Sequence, residues 1–70
     1  MILSEFVKAK RNAVKLKQPE LAEKAGVGLR FIRDLEQGKE SLRLDKVNKV
    51  LKLFGCQVGP IPLKPNEKLL

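Results

Sequence analysis

The chain has 70 residues, and its 15 Lys and Arg against 8 Asp and Glu give a formal net charge of +7. This length allows one compact domain with a small core and excludes a second independent domain. The positive charge favours polyanionic partners such as nucleic acid or anionic lipid, although a merely soluble basic protein has the same composition.

The cysteine content and the apolar runs bear on where the protein acts. Cys56 is the single cysteine and cannot form an internal disulfide, which argues for a reducing compartment. No apolar run approaches the ~20 residues of a membrane span, and charged residues follow Met1 closely, so neither a signal peptide nor a transmembrane helix is predicted. We therefore expect a cytoplasmic protein.

A first amphipathic helix is predicted over about residues 4 to 15. Ser4 is available as its N-cap. Arg11 falls on the inward face or its margin, where a charge needs a partner. The apolar residues at helical spacing are Leu3, Phe6, Val7 and Val14.

Two short helices joined by a three-residue turn follow. The first is predicted over about residues 18 to 25 and stops at Gly26, which suits a left-handed C-terminal position. The second is predicted over about residues 29 to 37 and stops at Gly38. This pair is the helix-turn-helix arrangement, in which the second helix can enter the major groove of DNA.

The second helix of the pair has two chemically different faces. Ile32 and Leu35 are three residues apart and look inward. The opposite face carries polar residues at i, i+3, i+4 and i+7, namely Arg30, Arg33, Asp34 and Gln37. One side is therefore core, and the other is free to contact a ligand.

A fourth helix and a tail complete the chain. The helix is predicted over about residues 44 to 54 from the apolar stripe Leu44, Val47, Leu51 and Phe54. Residues 56 to 63 are β-permissive, but Pro60 and Pro62 exclude a helix or a central strand, which leaves an edge strand or an extended arm. Residues 64 to 70 are expected to fray.

The pattern L-x-Q-x-x-L-A-x-x-A-G-V-x-x-x-x-I-x-x-L-E-x-G, from Leu16 to Gly38, resembles the Cro/CI-type (XRE) helix-turn-helix family. The resemblance implies an all-α, four-helix, lambda-repressor-like fold that binds operator DNA. We expect a DNA-binding domain over residues 1 to 55, a short C-terminal β-strand for dimerisation over residues 56 to 63, and a flexible tail over residues 64 to 70.

The resemblance places base reading on the third helix, at Leu29, Arg30 and Asp34, with Arg33 as a flanking candidate. Arg30 could pair bidentately with guanine O6 and N7, and Leu29 could meet a thymine methyl group. Asp34 could accept from cytosine N4, or it could instead orient Arg30, which lies four residues earlier on the same face. The sequence leaves that choice open.

Phosphate contacts are expected at four further residues. In the family, the glutamine that begins the second helix contacts a DNA phosphate, and this role falls on Gln18 here. Gln37 flanks the reading face. Lys39 and Arg43 lie in the following loop as phosphate contacts, although a solvated basic loop would have the same sequence.

Two expectations are structural. In phage repressors of this type, the residues that correspond to Arg11 and Glu36 form an internal salt bridge, so we expect the same pair here. Lys17 and Gly28 stand where the family commonly has a capping hydroxyl or amide, so both helix N-caps are expected to be weaker than usual.

A narrower resemblance, to HipB-type antitoxins, is carried by residues 26 to 39, by residues 42 to 47 and by the strand-like tail. It implies a homodimer on a palindromic operator, repression of its own operon and a HipA-type kinase toxin as partner. We expect the tails to pair antiparallel across the dimer through Gln57, Val58, Gly59 and Ile61, with the prolines facing outward.

Other classes of function are less well supported by the sequence. The chain has no histidine, no Ser/His/Asp or Cys/His set and no metal-ligand cluster, so we predict neither an enzyme nor a cofactor. A protein-interaction adaptor that neutralises a partner without specific DNA binding is the main alternative. Membrane-surface binding by the first helix is disfavoured, because Arg11 interrupts its apolar face and no Trp is present.

Overall fold

Four α-helices separated by short turns form the fold, as seen in a computed structural model that describes residues 2–67. The helices are α1 (Leu3–Ala13), α2 (Gln18–Ala25), α3 (Leu29–Glu36) and α4 (Leu44–Lys52). A single turn of 3-10 helix at Pro65–Glu67 lies within residues 64 to 70, the segment expected to be flexible, of which residues 68 to 70 fall outside the described range. All four helices were expected from the sequence, and α2 has the predicted limits.

Each α-helix ends in the same hydrogen-bonded turn. One residue in the turn has a positive φ, and the backbone N–H of the residue after it donates to the carbonyl oxygen five positions before that donor. Four such bonds, of 3.0–3.1 Å, run from the backbone N–H to the carbonyl oxygen in the pairs Leu16 to Arg11, Val27 to Ala22, Lys39 to Asp34 and Cys56 to Leu51. Three of the positive-φ residues are the glycines 26, 38 and 55, but the turn after α1 uses Lys15, with φ +59°. This turn ends α1 at Ala13, two residues before the predicted limit.

The two ends of α1 differ from the sequence expectation. Ser4 is not an N-cap, because Ile2 has that position, and Ser4 is buried within the first turn. Its hydroxyl faces the turn after α3, where a Cβ added to Gly38 would lie 3.7 Å from Ser4 Oγ. Val14 is 54% exposed, since it lies in the turn and off the apolar face.

The core lies between the inner faces of all four helices. Its buried side chains are Val7, Leu21, Ala22, Ile32, Leu35, Val47, Val50 and Leu51. α3 packs against both α1 and α2, while α4 packs against α2. On α4, Val50 is fully buried and Leu44 is 63% exposed, so the buried face is rotated from the predicted stripe. This packing holds α3 by its inner face and leaves its outer face to solvent.

The predicted C-terminal β-strand is wrong for the chain described here, because residues 2–67 contain no strand. Residues 56–64 have no regular structure. The backbone N–H of Val58 donates to Asn48 Oδ1 at 2.8 Å, which ties the tail to α4 through a side chain rather than a ladder. Pro60 and Pro62 have no N–H to donate, and Ile61 is 81% exposed. The fold is therefore all-α with an extended tail.

A membrane-spanning helix was not expected, and none of the helices within residues 2–67 is long and apolar enough to cross a membrane.

Candidate nucleic-acid interface

The outer face of α3 presents several of the predicted DNA-contacting residues together. Arg30 is the most open, with 87% of its side chain exposed, and Arg33 and Gln37 are also exposed. Leu29 is half-buried and packs partly against the core, so only part of it faces outward. The helix therefore offers long cationic and amide side chains on a rigid support, a chemistry suited to base edges and phosphates.

Asp34 lies between two cations of this surface. Its Oδ1 is 3.4 Å from Arg30 Nε, and its Oδ2 is 3.6 Å from Lys39 Nζ. The side chain of Asp34 is only 20% exposed, against 51% for Lys39. The contact with Arg30 is the arrangement expected if Asp34 orients Arg30.

Gln18 begins α2 and is half-buried. Its Nε2 donates to Glu36 Oε1 at 3.2 Å, so the amide is held against the end of α3. Its own helix has no hydroxyl cap at Lys17, but Glu20 Oε1 accepts the Lys17 backbone N–H at 2.8 Å. This bond is half of a capping box and partly replaces the missing cap. At α3, Gly28 supplies no side-chain cap.

Arg11 and Glu36 form a two-point ion pair between α1 and α3. Arg11 Nε and Nη2 donate to the two Glu36 carboxylate oxygens at 2.7 and 2.9 Å, and Nη1 donates to the Leu16 carbonyl at 2.9 Å. The side chains are 12% and 3% exposed, respectively. The hydrogen bonds that Arg11 donates to Glu36 hold the pKa of Arg11 above its ordinary value, although burial acts in the opposite direction. Arg11 therefore stays charged beside Glu36.

One carboxylate thus connects three elements. Glu36 Oε1 accepts from both Arg11 Nη2 and Gln18 Nε2, so the start of α2 is fixed relative to α1 and α3. Because Gln18 is a predicted phosphate contact and α3 the predicted reading helix, this network fixes the relation between the two. Residue spacing alone did not indicate the link between Gln18 and Glu36.

Arg43, the last of the predicted phosphate contacts, is engaged at the start of α4. Its Nη2 and Nε donate to the two carboxylate oxygens of Asp45 at 2.6 and 3.1 Å. These hydrogen bonds lower the pKa of the exposed Asp45 carboxyl group. To bind a phosphate through the same atoms, Arg43 would have to exchange this partner.

Asn48 has a structural role that the sequence reasoning missed. Its amide oxygen accepts the Val58 N–H and fastens the tail to α4. It follows the buried Val47 and precedes Leu51 by one helical turn, so it is a polar residue at the margin of an apolar face. The same signal drew attention to Arg11 and could have identified Asn48.

Comparison with known proteins places this geometry in a family. A helix-turn-helix family model matches residues 7–61, which is most of the chain. An uncharacterized HTH-type transcriptional regulator, y4mF, of Sinorhizobium fredii (strain NBRC 101917 / NGR234) is 46% identical over 66 residues, which cover 94% of this chain and 84% of that protein. Neither match bears on the narrower resemblance to HipB-type antitoxins. The chain belongs to the XRE-type helix-turn-helix family of transcriptional regulators.

Proposed function

We propose that this protein is a sequence-specific repressor that binds double-stranded DNA by placing α3 in the major groove. The observation that carries the proposal is the outer face of α3, where Arg30, Arg33 and Gln37 are exposed on a helix whose inner face is packed in the core. A groove ~12 Å wide admits one helix presented in this way. The excess of Lys and Arg attracts the protein to any duplex, and the contacts of α3 with base edges give the preference for one DNA sequence.

The proposed roles follow the chemistry of each side chain. Arg30 reads guanine, Leu29 contacts a thymine methyl group, and Arg33 reads or flanks an adjacent base. Gln18, Gln37, Lys39 and Arg43 contact phosphates, which fixes the register on the duplex. The bond from Gln18 to Glu36 supports this assignment for Gln18, because a fixed amide loses less entropy when it binds.

The test is selection of bound sequences from a pool of random duplexes, followed by titration of the selected duplex and a scrambled one at several salt concentrations. We expect the wild-type protein to enrich one sequence. Arg30→Ala should lose about 1–3 kcal/mol of discrimination at one base pair and keep most of its salt-dependent nonspecific binding.

Lys52→Ala is the matched control, because it removes one positive charge from an exposed residue in the last turn of α4. It should weaken binding to all sequences alike. An identical sequence preference in Arg30→Ala and in the wild type would refute the role of Arg30, and a wild-type protein that enriches nothing would refute the proposed function.

We further propose that the repressor acts as a homodimer on a palindromic operator, which would place two α3 helices about one turn of DNA, ~34 Å, apart. The tail supports this idea because Ile61 and Leu63 lie two residues apart and are 81% and 62% exposed, so both apolar side chains are open to a second copy of the chain. The contact would involve the side chains of Gln57 and Ile61 and the backbone at Gly59, while the Val58 N–H holds the tail to Asn48 of α4. This contact needs no pairing of strands.

Sedimentation equilibrium at micromolar concentration tests the dimer. Ile61→Asp should shift the mass towards the monomer. Val14→Asp places the same charge on another exposed apolar residue, in the turn after α1, and should leave the mass of the dimer unchanged. A monomeric wild-type protein would refute the homodimer.

The narrower resemblance suggests the biological setting: an antitoxin that represses its own operon and binds a HipA-type kinase toxin. Residues 26 to 39 and 42 to 47 carry that resemblance. Co-expression with a HipA-type kinase encoded in the same operon, followed by co-purification and a kinase assay, tests this idea. A stable complex formed by a protein that enriches no DNA sequence would instead favour the adaptor.

A further inference from the structure

We propose that Asp34 is a positioning residue that sets the sequence preference of the α3 surface, because it restrains Arg30 and Lys39 rather than reading a base itself. The inference rests on the proposed function, since it concerns how the same surface discriminates among duplexes. The sequence allows Asp34 either to contact a base or to orient Arg30. The contacts favour the second role, and they add Lys39 as a second restrained cation.

The carboxylate is divided between the two cations. Oδ1 faces Arg30 Nε at 3.4 Å, and Oδ2 faces Lys39 Nζ at 3.6 Å, so each oxygen has its own partner. Asp34 is 20% exposed, whereas Arg30 is 87% and Lys39 51% exposed. The anion is therefore the most enclosed member of the trio, and the two long cationic side chains extend past it into solvent.

The backbone brings Lys39 to this position. The turn that ends α3 has Gly38 at φ +84°, and it returns the Lys39 N–H to the Asp34 carbonyl at 3.0 Å. The Gly38 N–H donates to the Leu35 carbonyl at 3.2 Å and closes the same turn. Lys39 is thus attached to Asp34 through the backbone, and its ammonium group lies near the carboxylate as a consequence of how the helix ends.

This arrangement has opposite effects on specific and nonspecific binding. A carboxylate beside the groove repels phosphates in every sequence, which lowers nonspecific affinity. The restraint on Arg30 helps only where Arg30 meets the base it reads, because an ordered guanidinium loses less entropy there. Asp34 therefore raises the ratio of specific to nonspecific binding.

The decisive experiment compares Asp34→Asn with the wild-type protein on the selected duplex, its single-base variants and a scrambled duplex. Asp34→Asn keeps the shape of the side chain and removes its charge. Exposed ion pairs of this kind correspond to about a twofold change in an equilibrium each. We expect tighter binding to the scrambled duplex and a two- to fourfold loss of preference at the base pair read by Arg30, by the same estimate.

Glu23→Gln is the matched control. Glu23 is exposed on α2 and forms no ion pair with another of the residues 2–67. Glu23→Gln removes one negative charge, as Asp34→Asn does, but it breaks no ion pair. It should leave the preference at the Arg30 base pair unchanged. If Asp34→Asn affected binding only as Glu23→Gln does, the positioning role would be overturned.

A double-mutant cycle separates positioning from base reading. If Asp34 acts through Arg30, Asp34→Asn should remove no further preference in an Arg30→Ala background. If Asp34 accepts from cytosine N4, preference should fall at a different base pair and should do so in both backgrounds, which would overturn the proposal. Failure of the wild-type protein to select any sequence would remove the proposed function and this inference with it.

Asp34→Glu provides a second variant that keeps the charge, and circular dichroism reports whether each variant is folded. Glutamate preserves the repulsion of phosphates but moves the carboxylate by one methylene group. We expect binding to the scrambled duplex to remain weak while preference at the Arg30 base pair falls. Wild-type preference in both Asp34→Asn and Asp34→Glu would contradict the proposal.

Discussion

Removal of one partner of the Arg11–Glu36 pair should strongly destabilise the protein. Breaking a deeply buried ion pair costs ~3–5 kcal/mol, because the remaining charge is left without a partner. Arg11 is 12% exposed and retains some contact with solvent, so Arg11→Met should cost about 3 kcal/mol, at the lower end of this range. A domain of 70 residues has a free energy of unfolding of only about 4–10 kcal/mol, so much of its stability would be lost.

The two single variants should differ in a way that the geometry predicts. Arg11→Met leaves the Glu36 carboxylate, 3% exposed, with only the Gln18 amide at 3.2 Å to stabilise it. Glu36→Gln keeps an oxygen that can accept from Arg11 and should therefore cost less, about 1–2 kcal/mol.

Urea unfolding followed by circular dichroism measures these differences, with the slope m compared among variants to confirm that the unfolding transition is the same. The double variant Arg11→Met/Glu36→Leu removes both charges and should be more stable than Arg11→Met alone. The reasoning would be refuted if both single variants unfolded at the wild-type urea concentration, or if the double variant were less stable than Arg11→Met alone.

Three further predictions concern the fold. Lys15→Gly should raise the free energy of unfolding by about 0.5–1 kcal/mol, because Lys15 has φ +59°; a lower urea midpoint would contradict this. Val50→Ala should lower the free energy of unfolding by about 2–3 kcal/mol, because it leaves a cavity in the core. Val14→Ala, at a site that is 54% exposed, should change the free energy of unfolding by no more than about 0.5 kcal/mol. Asn48→Ala should lower the free energy of unfolding by about 1 kcal/mol and speed amide hydrogen exchange at Val58, because the Val58 N–H loses its acceptor. Unchanged exchange would count against the role of Asn48 in holding the tail to α4.

Much of this protein was determined by its sequence, because the relevant signals are local. A helical period of apolar residues predicted α1, α3 and α4, Pro19 and the acidic residues after it predicted α2, and Gly26 and Gly38 marked the ends of α2 and α3. The inward position of Ile32 and Leu35 followed from spacing alone, and with it the outward position of Arg30. The family motif from Leu16 to Gly38 is itself a list of such local requirements.

Tertiary structure decided the features that depend on contacts between distant parts of the chain. Lys15 adopts a left-handed conformation because α1 must turn there to pack against its neighbours, although nothing in its own side chain favours it. The β-permissive tail forms no strand within residues 2–67, because β pairing needs a second edge, and Val58 instead bonds to Asn48. The contacts of Glu36 with Gln18 and Arg11 span 18 and 25 residues, a separation at which periodicity carries no information and packing alone brings side chains together.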